Sequence, residues 1–96
     1  MKKQLNLRLD ENIIKDLEEL ALEENLERST LAKKILIEGL KEERFNFAIQ
    51  KYVLKEISIE RAAEMAKISL HEFIFRLSQL GIKTNLTLDD YKKLLL

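Results

Sequence analysis

The sequence predicts a mainly α-helical protein, in which one short N-terminal strand and two helices precede a unit of three further helices. Two observations carry this prediction. Apolar residues recur at helical spacing through most of the chain, in a composition that is 46% apolar and 35% charged with no proline. Only residues 2–9 depart from that rhythm, alternating with a period of two. The expected organisation is an N-terminal domain of one strand and two helices over 1–43, a helical domain over 44–84, and a tail with a short helix over 85–96.

Leu5, Leu7 and Leu9 alternate with Gln4, Asn6 and Arg8, which predicts a strand with one apolar and one polar face. A lone strand requires a partner, and a second copy of the same strand is the expected one. Asp10 is placed to cap a helix that runs to about Glu24, with Ile13, Leu17, Leu20 and Ala21 on one stripe. Asn25 suits a left-handed terminator. A second helix opens around Glu27–Thr30 and carries Leu31, Ala32, Ile35, Leu36, Gly39 and Leu40 on its expected buried side. The wholly charged Lys41-Glu42-Glu43-Arg44 interrupts that stripe, and a bend or boundary is expected there, with one long helix as the alternative. A new stripe follows at Phe45, Ala48, Ile49, Tyr52 and Val53. Ser58 caps a short helix over 59–66, and Lys67 and Ile68 form a tight turn. Ser69-Leu70-His71-Glu72 is a capping box, opening a helix that stops at Gly81. Thr87-Leu88-Asp89-Asp90 is placed to cap a last helical turn or two. Phe73 is read as core. Phe75 and Tyr91 are read as core from their spacing, with partner docking as their other role.

Composition narrows the function. Without cysteine there is neither a disulfide framework nor a thiolate metal site, and an intracellular, cytoplasmic chain is expected. Acidic residues at 10, 11, 16, 18 and 19 interrupt what would be a signal peptide. One histidine and no glycine-rich phosphate loop give catalysis no foothold, so the expectation is no enzyme, no cofactor and no metal. Seventeen basic residues balance seventeen acidic ones, so any attraction to nucleic acid rests on position. Residues 1–42 hold eight basic and ten acidic side chains, yet Lys2, Lys3 and Arg8 make the first nine residues +3.

The polar face of the strand carries base-reading residue types. Gln4 and Asn6 have the paired donor and acceptor that adenine needs, and Arg8 the fork that guanine needs. A two-stranded ribbon fits the major groove. Lys2 and Lys3 are placed for phosphate.

Residues 3–40 resemble a ribbon-helix-helix domain, the fold of the Arc and MetJ repressors and of many antitoxins. Leu5-Asn6-Leu7-Arg8-Leu9-Asp10 matches the strand and its exit, and Leu26-Glu27-Arg28-Ser29-Thr30-Leu31 the opening of the second helix. The resemblance implies a homodimer with Leu5, Leu7, Leu9, Leu31 and Ile35 in the shared core, and phosphate contacts from Arg28, Ser29 and Thr30. Glu27 departs from the pattern, since a carboxylate there repels phosphate. The run from Ile57 to Ser69, followed by Glu72-Phe73 and Leu80-Gly81-Ile82, is similar to a small prokaryotic family of uncharacterised antitoxin-like proteins with a helix-turn-helix-like unit. That resemblance makes 69–80 the recognition helix, with His71, Arg76 and Gln79 as a second DNA or partner surface. It implies an antitoxin that represses its own operon beside a toxin such as a PIN-domain ribonuclease. The alternative expectation is a protein-interaction module that docks by strand or helix without DNA.

Overall fold

Among the described residues there are four helices, α1 (Glu11–Glu23), α2 (Arg28–Val53), α3 (Ile59–Ala66) and α4 (Leu70–Gln79), and each ends in the same way. The computed structural model describes residues 1–84; the expected helix and Tyr91 of the 85–96 tail lie outside them. At each helix end a residue adopts positive φ: Asn25 (58°), Lys55 (60°), Lys67 (58°) and Gly81 (74°). The amide of the following residue then reaches back to a carbonyl five positions earlier. These bonds are Leu26 to Ala21, Glu56 to Lys51, Ile68 to Ala63 and Ile82 to Leu77, at 2.9 to 3.2 Å. This is the Schellman closure, which satisfies carbonyls the helix itself leaves open. Two of the four terminators are lysines, where a Cβ makes the left-handed conformation costly by about 1–2 kcal/mol.

The starts of α3 and α4 are capped as expected. The Ser58 hydroxyl oxygen accepts from the Arg61 amide and that of Ser69 from the Glu72 amide, both at 3.1 Å. Asp10 has the extended backbone of a cap, but its side chain accepts no capping hydrogen bond.

Two expectations fail. No strand exists among the described residues, and residues 1–10 carry no regular secondary structure, so the ribbon of a ribbon-helix-helix unit is absent. The alternation of Leu5, Leu7 and Leu9 describes two faces, but a strand is held by backbone hydrogen bonds to a neighbour. Every other element described is a helix, whose backbone groups are already used. The bend at 41–44 is also absent, because α2 runs unbroken through Lys41–Arg44. No proline or glycine stands within that charged run, and lysine, glutamate and arginine all favour a helix.

The chain divides into two compact units, one from Met1 to Gly39 and one beginning at Leu40. The second has a continuous core of Phe45, Ala48, Ile59, Ala62, Ala63, Ala66, Phe73 and Leu77. Phe73 is its centre, with no exposed surface, and it meets Phe45 at 5.5 Å and Tyr52 at 6.3 Å between ring centroids, both edge-on. Ala62, Ala63 and Ala66 place short side chains on the buried side of α3, leaving room for α4's large ones. The first unit has far less: only Ala21 and Leu31 are buried in it.

Candidate nucleic-acid interface

Lys2, Lys3, Gln4, Asn6 and Arg8 all lie on the first ten residues, which are exposed and carry no regular secondary structure. They form a basic arm ahead of α1 rather than one face of a sheet. The leucines between them are exposed as well, Leu5 and Leu7 at 68% and 64%.

Arg28, Ser29 and Thr30 form the first turn of α2 and are exposed. The Leu31 amide donates to the Glu27 carbonyl at 3.0 Å, so Glu27 stands at the very opening of the helix. The positive end of the helix dipole there faces a carboxylate of its own chain. Arg28 also pairs with Glu18 at 3.5 Å. Of the residues expected in a shared core, Leu31 is buried within its own chain, while Ile35 is exposed together with the three leucines of the arm.

In the second unit α3 and α4 are joined by Lys67, Ile68 and Ser69. An eight-residue helix, a three-residue turn and a ten-residue helix make a helix-turn-helix-like pair. Opposite the buried Phe73 and Leu77, helical spacing turns His71, Phe75, Ser78 and Gln79 outward, and all four are exposed. Phe75 was expected in the core; at 62% exposure it stands at the middle of this outer side, because the inner positions of α4 are filled by Phe73 and Leu77. Arg76 is half-buried and lines a small hollow with Gln79, Glu42 and Phe45, away from His71. Its Nη2 donates to both carboxylate oxygens of Glu42 at 3.0 and 3.1 Å, and its guanidinium carbon lies 3.6 Å from the Phe45 ring centroid. Glu42, unassigned in the sequence reading, lies 34 positions away. Nothing in a linear sequence marks such a pair.

No group of three or more His, Asp or Glu side chains that could hold a metal occurs among the described residues. No described helix is long and apolar enough to cross a membrane.

Fold and surface together define a small, mainly helical protein with a helix-turn-helix-like pair and a basic N-terminal arm. The model of an uncharacterised protein family, UPF0175, matches residues 1–93, and the chain belongs to that family. No curated protein and no solved structure matches the chain.

Proposed function

We propose that this UPF0175 protein is a sequence-specific DNA-binding repressor, acting as a homodimer and serving as the antitoxin of a toxin–antitoxin pair whose operon it represses. The observation that carries the reading is the α3–α4 pair, with both helices serine-capped and the second presenting His71, Ser78 and Gln79 outward. A short helix, a tight turn and a capped second helix is the arrangement that places side chains in a major groove. The arm supports the same reading. Lys2, Lys3 and Arg8 supply charge for phosphate, and Gln4 and Asn6 supply base-reading amides on an exposed segment that can order on DNA. The toxin partner is a small protein such as a PIN-domain ribonuclease.

The test is fluorescence anisotropy with the DNA upstream of the protein's own gene, against a scrambled duplex. Specific binding is expected, and Asn6→Ala and Gln79→Ala should each weaken it by about 1–3 kcal/mol without changing the fold. Equal affinity for both duplexes, or no affinity at low salt, would overturn the reading.

A second reading has its own observation. Phe75 is the most prominent side chain on the outer side of α4, and Arg76 is held by Glu42 and Phe45. An exposed aromatic without a neighbouring free arginine suits protein docking better than base reading. Under this reading the chain binds its partner through α4 without DNA, and Phe75→Ala abolishes that binding.

A further inference from the structure

Residues 33–43, in the middle of α2, are exposed on every side of the helix. They make about three full turns without a buried side chain, whereas Leu31 before them and Phe45 and Ala48 after them are buried. The boundary between the two compact units falls inside this stretch, between Gly39 and Leu40. Charge anchors it at both ends. Lys34 pairs with Glu24 at 3.4 Å within the first unit, and Glu42 accepts from Arg76 within the second. From Ile35 to Lys41, between those anchors, no side chain forms an ion pair among the described residues. Glu38 and Glu42 stand four positions apart, where like charges repel. Gly39, a poor residue for a helix interior, has no atom within 4 Å of where its Cβ would sit.

We propose that the middle of α2, from Ile35 to Lys41, is a hinge that unwinds while the units on either side stay folded. Most helical stability in proteins comes from packing an apolar face, and an isolated helix shorter than about 12–15 residues is marginal in water. This segment is held by its own backbone hydrogen bonds alone. Opening it uncovers no buried apolar side chain, so it costs far less than opening a core. Opening α2 from Phe45 to Tyr52 instead would separate both rings from Phe73. A helix held evenly along its length frays from its ends; α2 opens from its middle. The hinge lets the unit that carries the basic arm and the unit that carries the α3–α4 pair engage a ligand independently, and it holds whatever that ligand is.

The experiment is amide hydrogen exchange of the full chain, followed residue by residue by nuclear magnetic resonance and corrected for intrinsic rates. The amides of Ile37 to Glu43 are expected to exchange at least about tenfold faster than those of Ile49 to Val53 in the same helix, and faster than those of Leu17 to Ala21 in α1. Gly39→Ala should slow the segment about two- to fivefold, the gain of replacing glycine by alanine in an exposed helix interior, and leave Ile49 to Val53 unchanged. Exchange at Ile37 to Glu43 as slow as at Ile49 to Val53 would overturn the hinge. So would α1 amides that exchange as fast as the segment, since the first unit would then open as a whole, and so would a Gly39→Ala variant with unaltered rates.

Discussion

The guanidinium of Arg76 lies 3.6 Å from the centroid of the Phe45 ring while its Nη2 donates to both oxygens of Glu42, tying α4 to α2 within the second unit. Stacking on a ring that is itself buried gives the cation–π contact more weight than the ion pair, because Glu42 is 62% exposed and solvent screens it. Arg76→Ala should lower the unfolding free energy by about 1–2 kcal/mol, and Glu42→Gln by less than about 1 kcal/mol. Urea titration of both variants measures the difference. A larger effect from Glu42→Gln would mean that the pair, not the stack, holds the helices.

The left-handed lysines give a second expectation. Lys55 and Lys67 occupy positions where glycine carries no Cβ penalty. Lys55→Gly and Lys67→Gly should each stabilise the protein by about 0.5–1 kcal/mol, and Gly81→Ala should destabilise it by about 1 kcal/mol. Thermal unfolding followed by circular dichroism reports all three, and a fall in stability for both lysine variants would contradict the assigned helix ends.

Ser58 and Ser69 cap α3 and α4 through equivalent bonds. Removing either hydroxyl as alanine should cost about 1 kcal/mol. The threonine variants, which keep the oxygen, should recover most of the loss; failure of threonine to do so would point to a different cause.

Phe73 touches Phe45 and Tyr52 and has no exposed surface. Phe73→Ala should cost about 3–5 kcal/mol, enough to unfold a unit with so modest a core. Phe73→Leu keeps most of the volume and should retain helical structure by circular dichroism.

The arm separates charge from fold. Residues 1–10 hold no secondary structure, so Lys2→Ala and Lys3→Ala should leave helix content untouched. If DNA is bound as proposed, each should reduce the slope of log affinity against log salt by about one. An unchanged slope for both would remove the arm from the phosphate contacts.

Much of the second unit was legible in residue spacing. Ser58, Ser69 and Gly81 act over one helical turn, and the stripe of Phe73 and Leu77 has only one side to bury. Asn25 was legible for the same reason. The tight turn at Lys67 and Ile68 was placed correctly, whereas Lys55 was not recognisable as a terminator, because lysine has no preference for positive φ. The reading of residues 2–9 as a strand took an alternation of faces for a hydrogen-bonded element, and no strand among the described residues pairs with it. Of the stripe expected on the buried side of the second helix, Leu31 is buried and Ala32 half-buried, while Ile35, Leu36, Gly39 and Leu40 are exposed, because apolar spacing states which side prefers cover, not whether the same chain provides it. The Glu42–Arg76 contact depends on tertiary approach and leaves no local trace.

The four Schellman endings have a consequence in time. Each described helix closes at its C-terminus through a hydrogen bond between residues five apart, and the largest core joins helices that are neighbours along the chain. With no proline to isomerise, refolding should lack the slow phase of tens of seconds that a trans–cis step imposes. Contacts this local place the second unit among chains that fold in microseconds to milliseconds.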